Sequence, residues 1–389
     1  MKIGFDVSQT GAGKAGCGFY ADALARSLLD LAPECDFHFY PSFGDFYLDP
    51  RMSEACPFNA PRLDYGPRFE TLGAAGDFWN SENLEFRLEH PDLIHANNFW
   101  CPLGLKDARL VYTFYDMAFL ENADWSTEAN RVGCFSGIFR AAVRADWIVA
   151  ISESSRNHFL KIFPHFPEDR IRVIYPCSRF SDADRRGIKP TALEKFCGND
   201  FWLSVGTIEP RKNQLGLARA YALYRENHEH PLPLVFAGGK GWLMDDFQKE
   251  LKELGLLDHV ILTGYVEDDE LIWLYKNCFA NLYPSFFEGF GLPVLEAMQF
   301  GAPTLASSTT SIPEVLGRSG ILLDPSDPAS WSREMLALER KPDLRQTMRD
   351  HGYQRVSQFN WKQSTQQLLD LYQEALLSPR RSPASCKTS

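Results

Sequence analysis

The stretch CFANLYPSFFEGFGLPVLEAMQFGAPTLASS, from Cys278 to Ser308, decides the fold class of this 389-residue chain. It begins with CFANLYPS and ends with APTLASS, two short apolar runs of the kind that form buried strands. Between them, Pro293 suits the first turn of a helix, because an amide at that position has no intrahelical acceptor. A strand, a glycine-rich loop, a helix and a second strand together make the repeating unit of a parallel sheet.

The same alternation of strand and helix patterns extends along most of the chain. The strand patterns are KIGFDV, FHFY, DLIHAN, RLVYTFYD, WIVAIS and IRVIYP in the first half, and FWLSVG, LPLVFAGG, HVILTGYV, CFANLYPS, APTLASS and GILLDP in the second. Residues 41–90 are less regular and are predicted to form an elaborated surface segment. The alternation predicts an α/β fold with two doubly wound, Rossmann-like domains that face each other across a cleft.

A polar, charged stretch without a strand pattern, residues 177–200, separates the two series. We therefore predict an N-terminal domain over residues 1–180, a linker over 181–199 and a C-terminal domain over 200–358. An amphipathic pattern predicts a C-terminal helix over 359–377 that packs back on the N-terminal domain. The last residues, 378–389, are predicted to be disordered.

The composition argues against several classes of protein. Hydrophobic residues make up 44% and charged residues 23% of the chain, as in ordinary globular proteins. The net charge of −11 argues against nucleic-acid binding, whose affinity comes largely from Lys and Arg that neutralise phosphates. The nine cysteines contain no C-x-x-C pair, which indicates thiols in a reduced compartment rather than disulfides or a zinc site. Since no apolar run of about 18 residues and no signal-peptide pattern occur, we expect a cytoplasmic protein.

Two adjacent cations follow a strand pattern in FWLSVGTIEPRKN, residues 201–213. Gly206 ends the strand and permits a close backbone approach, and Arg211 and Lys212 stand just before a predicted helix. Paired cations at the carboxyl end of a strand suit a diphosphate, and a solvated charge pair fits this stretch equally well.

The glycine-rich loop of the opening stretch carries a second candidate site. Its glycines allow the backbone amides of Phe290, Gly291 and Leu292 to point at one spot beside the helix N-terminus, where a phosphate is stabilised. Glu288 would then reach a sugar hydroxyl, or else it only caps the helix. Glu296 has apolar neighbours and would meet a ribose or serve as a structural carboxylate. Because an unpaired carboxylate in such surroundings is costly, a polar ligand is the favoured interpretation.

The N-terminal stretch TGAGKAGCGFY, residues 10–20, matches the dinucleotide pattern G-x-G-x-x-G at Gly11, Gly13 and Gly16. A dinucleotide site also needs a tight turn and an acidic residue at the end of the second strand. Here three residues separate the first strand from the first glycine, and Pro41 follows the second strand. The motif therefore indicates a loop for an anionic or sugar ligand, or a plain βα loop, in preference to an NAD site.

Together these motifs resemble those of the retaining GT-B glycosyltransferases of family 4, group 1, over essentially the whole chain. The resemblance is carried by FEGFGLPVLEAM with its E-x7-E pair, VGTIEPRKN, LTGYV, SIPEV and the N-terminal glycine loop. It implies that the N-terminal domain is the acceptor side and that the C-terminal domain binds a nucleotide sugar.

The resemblance also implies a role for each candidate residue. Arg211 and Lys212 would hold the donor diphosphate, Glu288 the transferred hexose, Glu296 the ribose and the backbone around Val266 the base. The N-terminal glycine loop would lie near the diphosphate and the acceptor. The implied catalytic residues are Glu288, Arg211, Lys212 and Asp116. The implied donor-binding residues are Gly16, Gly18, Gly206, Val266, Phe290, Gly291, Leu292 and Glu296.

The chain departs from the family pattern at one position. The family usually carries His-Asp after the fourth strand of the first domain, where the His contacts the donor sugar. Here the stretch FYDMAFL has Tyr115 before Asp116. A tyrosine can donate a hydrogen bond but is not a cation near pH 7. The contact to the donor sugar, and with it the choice of sugar, is therefore open at this position.

The resemblance further implies that a hexose moves to an acceptor hydroxyl with retention of configuration and without a metal ion or other cofactor. Arg211, Lys212 and the helix N-terminus would stabilise the leaving phosphate in place of a cation. An Asp-x-Asp match at 182–184 lies in the predicted linker and is discounted. GTIEPRKN together with SIPEV looks most like the mannosyltransferase branch, which implies GDP-mannose as donor, with a UDP-sugar as the alternative.

The expected acceptor is a carbohydrate or a lipid-linked molecule, as in the synthesis of a cell-surface polysaccharide or glycolipid. NRVGCFSGIFRAAVR, residues 130–144, mixes arginines with apolar side chains. It predicts either an interfacial helix at the inner face of the membrane or a core-packed helix with a solvated face. Three other interpretations stay open: a catalytically silent sugar-nucleotide binder, an NAD-dependent oxidoreductase and a hydrolysing epimerase on the same fold.

Overall fold

The computed structural model describes residues 1–11, 14, 16–44, 57–180, 186–194, 200–241 and 246–381. Its chain contacts define two compact units. The first unit contains Met1–Met117, Glu128–Arg179 and Asn360–Ser389, and the second contains Ala118–Thr127 and Phe180–Phe359. Gly13, the Asp-x-Asp match at 182–184 and the end of the predicted tail, 382–389, lie outside the described residues.

The first unit is built on a parallel sheet of seven strands in the order β3-β2-β1-β4-β5-β6-β7. Its strands are β1 (Lys2–Asp6), β2 (Asp36–Tyr40), β3 (Leu63–Tyr65), β4 (Leu93–Ala96), β5 (Arg109–Phe114), β6 (Trp147–Ala150) and β7 (Ile171–Val173). β4 and β6 are buried along their whole length, as expected when helices cover both faces of a parallel sheet. The strand order reverses between β1 and β4, so the loops after these two strands open at one crevice.

The second unit is built on a parallel sheet of six strands in the order β10-β9-β8-β11-β12-β13. Its strands are β8 (Trp202–Val205), β9 (Leu234–Ala237), β10 (Val260–Gly264), β11 (Ala280–Tyr283), β12 (Thr304–Ser307) and β13 (Gly320–Leu323). The order reverses between β8 and β11, which pair directly with each other. Each of the twelve strand patterns named from the sequence overlaps one of the strands of the two sheets.

Fourteen α-helices lie in the described residues and connect or follow these strands. They are α1 (Gly16–Leu31), α2 (Leu72–Trp79), α3 (Leu84–Arg87), α4 (Ala118–Glu121), α5 (Glu128–Arg144), α6 (Glu153–Ile162), α7 (Gln214–Glu226), α8 (Phe247–Glu253), α9 (Asp268–Asn277), α10 (Leu292–Gln299), α11 (Ile312–Leu316), α12 (Pro328–Glu339), α13 (Pro342–Val356) and α14 (Trp361–Leu377). None of the helices in the part of the chain that the structure describes is long and apolar enough to cross a membrane.

The prediction of a surface segment over residues 41–90 was wrong in part. This region supplies the edge strand β3 and the helices α2 and α3. Trp79 of α2 is buried, its ring lies 4.5 Å from that of Phe43, and its Nε1 donates a hydrogen bond to the carbonyl oxygen of Ser42. A three-residue strand is too short to show an alternating pattern, so β3 was not predicted.

The C-terminal helix α14 packs in the first unit, where a buried polar chain joins it to the sheet. The Tyr372 hydroxyl lies 2.5 Å from Nδ1 of His95 on β4, and Nε2 of His95 lies 2.7 Å from the Thr113 hydroxyl on β5. Burial lowers the pKa of His95 to about 3, so the ring stays neutral at pH 7. A neutral imidazole satisfies both neighbours with one donor and one acceptor nitrogen.

We expect Tyr372→Phe to lower the free energy of unfolding by about 1–3 kcal/mol, because His95 remains buried and loses a hydrogen-bond partner. Urea denaturation followed by circular dichroism measures this change. Tyr353→Phe on α13 is the matched control, since Tyr353 is exposed. Equal unfolding free energies for wild type and Tyr372→Phe would show that this contact does not stabilise the fold.

Candidate active site

The candidate site of the second unit lies where the strand order of its sheet reverses. β8 and β11 are neighbours in the sheet, although about 75 residues separate them in the sequence. The loops after their carboxyl ends therefore meet, as ligand-binding loops do at the reversal point of open α/β sheets. The loop after β8 carries Arg211 and Lys212, and the loop after β11 carries Glu288.

A short 3-10 turn, Pro210–Lys212, presents the two cations. Asn213 follows it in the left-handed conformation, with φ of 57°, and ends the turn before α7 begins. Its side-chain amide donates hydrogen bonds to the carbonyl oxygens of Pro284, at 3.2 Å, and Pro325, at 2.7 Å. Asn213 therefore attaches the cation-bearing turn to the end of β11 and to the loop after β13.

The structure brings the three predicted side chains into direct contact. Lys212 Nζ lies 2.6 Å from Oε1 of Glu288, and Arg211 Nη1 lies 3.0 Å from Oε2. The Tyr283 hydroxyl at the end of β11 donates to Oε1 of Glu288 over 2.8 Å. Arg211 Nη2 makes a further ion pair with Glu209, whose Oε1 lies 2.6 Å away. Both carboxylates are buried, so these ion pairs are shielded from solvent.

The cluster of Arg211, Lys212, Glu209 and Glu288 contains two cations and two carboxylates, so it has no net charge. Burial alone raises the pKa of the Glu288 carboxyl, but the charges of Lys212 and Arg211 and the hydrogen bond from Lys212 outweigh burial and lower that pKa to about 2. Glu288 is thus ionised throughout the neutral range. An ionised Glu288 can orient both cations and can accept hydrogen bonds from a polyol.

The lowered pKa of Glu288 predicts a loss of stability in acid. A carboxyl whose pKa is lower in the folded chain stabilises the fold above its unfolded pKa, and this stabilisation disappears as the pH falls through the folded pKa. From pH 4.5 towards pH 2, we expect the stability advantage of wild type over Glu288→Gln to shrink by about 3 kcal/mol. Urea denaturation at several pH values measures the difference in unfolding free energy between the two proteins. A difference that does not change with pH would contradict the ion pairing.

The loop that carries Glu288 is held by the segment before α11. The backbone amide of Glu288 donates to the Thr310 hydroxyl over 3.0 Å. The Ser311 hydroxyl lies 2.9 Å from the carbonyl oxygens of both Glu288 and Phe290. The SIPEV motif, of which Ser311 is the first residue, therefore stabilises the conformation of this loop.

Gly291 ends the loop in a conformation that requires glycine. Its φ is 100°, and a Cβ atom there would lie 2.5 Å from Cδ1 of Ile312. α10 starts at the next residue, Leu292, with Pro293 in its first turn. The first amides of a helix have no intrahelical acceptor, so this end of α10 attracts an anion.

Glu296 was expected to be a buried carboxylate without a partner in the protein, and the structure corrects this expectation. The residue is buried on α10, as expected from its neighbours, but its carboxylate is not left unpaired. The Tyr275 hydroxyl on α9 donates to Oε2 of Glu296 over 3.2 Å. The burial of Glu296 therefore needs no ligand to explain it, and the ribose contact stays a prediction.

Two predicted backbone contacts, Gly206 and Val266, follow the carboxyl ends of β8 and β10. Gly206 follows β8 directly, next to the side-chain stem of Lys212. Val266 lies in the loop between β10 and α9, half-buried against the core of the second unit. The strand β9 separates β8 from β10 in the sheet, and all three strands end at the same edge. Their roles towards a diphosphate and a base stay predictions.

The predicted glycines of the first unit lie at the start of α1, the helix after β1, at the reversal point of this sheet. Gly16 starts α1, and Gly18 lies so close to the loop after β1 that a Cβ atom would be 2.1 Å from the carbonyl oxygen of Gln9. Gly18 therefore has a packing role, whereas among the residues that the structure describes none lies within 4 Å of the position a Gly16 Cβ would take.

Tyr115 follows β5 and is buried. Its hydroxyl lies 2.8 Å from Oδ1 and 3.0 Å from the backbone carbonyl oxygen of Asn97, which follows β4. Burial raises the pKa of Tyr115 well above its usual value, so the hydroxyl keeps its proton. Asp116 comes next and is partly exposed. The tyrosine in place of the family histidine therefore contacts a neighbouring loop of its own unit.

Several residues that contact the predicted site residues were not themselves predicted. Glu209, Tyr283, Thr310 and Asn97 make the contacts described above, and all but Thr310 lie in stretches quoted from the sequence, Asn97 at the end of DLIHAN. Glu209 is the acidic residue of GTIEPRKN, and Tyr283 opens the run YPSFFEGFG. Glu209 stands two residues from Arg211, a signal for an ion pair that the sequence analysis did not use.

Two family models match the chain. The model for glycosyl transferases group 1 matches residues 188–355, and the model for Glycosyltransferase Family 4 matches residues 16–177. The O-antigen chain mannosyltransferase B of Escherichia coli is 33% identical over 285 residues, which cover 72% of this chain and 74% of that relative. The serotype-specific mannosyltransferase WbdA of Escherichia coli is 31% identical over 247 residues, which cover 62% of this chain and 30% of WbdA.

Solved structures with the same fold cover nearly the whole chain. HepE of Anabaena, solved in complex with UDP and glucose, has a TM-score of 0.69 and 18% identity, and the match covers 96% of this chain and 100% of HepE. WaaG, a glycosyltransferase involved in lipopolysaccharide biosynthesis, has a TM-score of 0.68 and 15% identity, with 95% and 99% covered. The prediction of a GT-B fold with two Rossmann-like domains is confirmed.

Proposed function

Since the chain belongs to the group 1, family 4 glycosyltransferases, we propose that it is a retaining hexosyltransferase that uses a nucleotide-diphosphate sugar. The observation that carries this proposal is the contact of Glu288 with Lys212 and Arg211 at the reversal point of the second sheet. Cations suited to a diphosphate and a carboxylate suited to sugar hydroxyls meet there, next to the N-terminus of α10.

We propose mannose as the transferred hexose and GDP-mannose as the donor. The relatives that support this choice are the two mannosyltransferases of Escherichia coli, at 33% and 31% identity. The name of the first also supports an acceptor that is a growing polysaccharide chain or its lipid-linked form. The motifs GTIEPRKN and SIPEV point to the same branch of the family.

The proposed reaction breaks the bond between the sugar C1 and the diphosphate oxygen and forms a bond from C1 to the acceptor oxygen on the same face. The departing phosphate oxygen takes the proton of the acceptor hydroxyl, so no separate base is needed. Arg211, Lys212 and the first amides of α10 stabilise the charge that develops on the diphosphate. Glu288 orients the hexose by accepting hydrogen bonds and does not attack C1. These groups supply the charge stabilisation, and we propose that the reaction needs no metal ion.

We propose substrate contacts in each of the two units by itself. Asp116 contacts the substrates, and the start of α1 at Gly16 lies near the donor diphosphate or the acceptor. Glu296 and Val266 bind the ribose and the base in the second unit.

We further propose that α5 meets the surface of an anionic membrane. Val132, Phe135 and Phe139 are exposed along one face of this helix, and Arg144 is exposed at its end. Exposed apolar side chains beside a cation suit the headgroup region of a bilayer. Flotation with anionic liposomes tests this contact: wild type should float, and Val132→Ser with Phe139→Ser should not. Leu257→Ser, another exposed apolar position, is the control, and failure of wild type to float would remove the proposal.

The donor is tested first by thermal shift with GDP-mannose, UDP-glucose, UDP-N-acetylglucosamine, GDP, UDP and NAD, each with and without EDTA. Ligands that bind the native state raise the melting temperature. We expect the guanine nucleotides to give the shift and EDTA to leave it unchanged. A shift with uridine nucleotides alone would replace the donor, and loss of the shift in EDTA would contradict metal independence. A shift with NAD alone would contradict the proposed function.

A further inference from the structure

The segment Ala118–Thr127 belongs to the second unit, although the chain on both sides of it belongs to the first. It contains α4 and a 3-10 turn, Ala123–Trp125. The Asn122 side chain caps this turn, because its Oδ1 accepts a hydrogen bond from the amide of Asp124 over 2.9 Å.

The turn packs against the loops of the candidate active site. The Trp125 ring stacks on that of Phe286, with ring centroids 6.0 Å apart and planes 9° from parallel. The Phe287 ring lies 6.4 Å away at 52°. The same turn contacts the cation-bearing turn Pro210–Lys212. Trp125 is half-buried, so the stacking excludes water from one face of its ring.

The backbone of Phe286 and Phe287, whose rings contact Trp125, links Arg211 to Glu288. The amide of Phe286 donates to the carbonyl oxygen of Arg211 over 2.9 Å. The carbonyl oxygen of Phe287 accepts a hydrogen bond from Arg211 Nη1 over 2.7 Å, and Glu288 is the next residue. A shift of this short stretch would therefore move both the guanidinium and the carboxylate of the ion pair.

We propose that Trp125 is a positioning residue, which holds the Phe286–Glu288 backbone so that Glu288 and Arg211 stay aligned for transfer. The inference rests on the proposed function, because it takes these two side chains as part of the transferase site. The stacking adds to the other supports of this loop, which include the contacts with Arg211 and the hydroxyls of Thr309, Thr310 and Ser311. An error of about 1 Å in such an alignment is enough to slow a reaction about 100-fold.

The test compares Trp125→Ala, Trp125→Phe and the control Leu120→Ala, which removes an exposed side chain of the same segment. Hydrogen exchange of the Phe286–Glu288 amides reports the loop directly, without any substrate. We expect Trp125→Ala to speed this exchange about 3- to 10-fold and to lower kcat with little change in KM for the donor. Trp125→Phe should restore both values, and Leu120→Ala should leave both unchanged.

Unchanged exchange of these amides in Trp125→Ala would overturn the inference, whatever the activity. Faster exchange with the kcat of wild type would also overturn it, because the loop would then move without consequence for transfer. A wild-type protein that transfers no hexose from any of the donors would contradict the proposed function instead, and the exchange rates would still decide whether Trp125 holds this loop.

Discussion

Glu288→Gln is expected to lower kcat for hexose transfer about 100- to 1000-fold while leaving the fold intact at neutral pH. The substitution keeps the shape of the side chain but removes the charge that lies 2.6 Å from Lys212 Nζ and 3.0 Å from Arg211 Nη1. It also weakens the hydrogen bonds that Glu288 would accept from the hexose. Initial rates with GDP-mannose and an acceptor oligosaccharide measure the change.

The matched control is Glu253→Gln on α8, where the carboxylate is exposed in the same unit. It should turn over at the rate of wild type. A Glu288→Gln or Glu288→Ala protein with near-full turnover would show that Glu288 neither orients the sugar nor aligns the cations. Circular dichroism of each variant separates a loss of activity from a loss of structure.

Lys212→Met is expected to weaken the binding of GDP about 30-fold or more. The lysine would form a charge pair with the diphosphate, and loss of one partner from a buried, hydrogen-bonded charge pair costs about 2 kcal/mol or more. The cluster of two cations and two carboxylates is neutral in wild type. Removal of Lys212 makes its net charge −1, which repels a diphosphate. Isothermal titration calorimetry with GDP measures the affinity, and Lys252→Met on α8 is the exposed control.

The same charge balance predicts that Glu288→Gln does not weaken the binding of GDP. Loss of the Glu288 charge leaves the cluster at +1, so this variant should bind GDP at least as tightly as wild type although it transfers poorly. Weaker GDP binding in both variants would contradict a role for net charge and point to a collapse of the cluster. Equal GDP binding in wild type and Lys212→Met would show that this lysine does not hold the diphosphate.

Every strand of the two sheets except β3 was predictable, because the signal of a strand is local. A buried strand such as β8 or β11 is a short apolar run between turn residues, and its position follows from neighbours in the sequence. β3 escaped prediction because three residues are too few for a pattern. Helices cover both faces of a parallel sheet, so its strands are continuous apolar runs. Two series of such runs, alternating with helix patterns, therefore predict two Rossmann-like sheets from the sequence alone.

The candidate site was predictable as a set of loop residues but not as a set of contacts. Arg211, Lys212 and Glu288 each follow the carboxyl end of a strand, where ligands bind in such sheets. Their mutual ion pairing was not predicted, because it depends on β8 and β11 being neighbours in the sheet. The hydrogen bond from Tyr275 to Glu296 was not predicted either, because it joins α9 to α10 and depends on how these two helices pack.

The sequence by itself determined the α/β class, the positions of twelve strands and the loops that carry the candidate residues, because these depend on the pattern of nearby side chains. Only the tertiary structure decided that Glu288 forms ion pairs with two cations, that Tyr115 contacts Asn97, and that Trp125 stacks on Phe286. Such pairings join residues far apart in the chain, and they arise from strand order and packing, which no local pattern records.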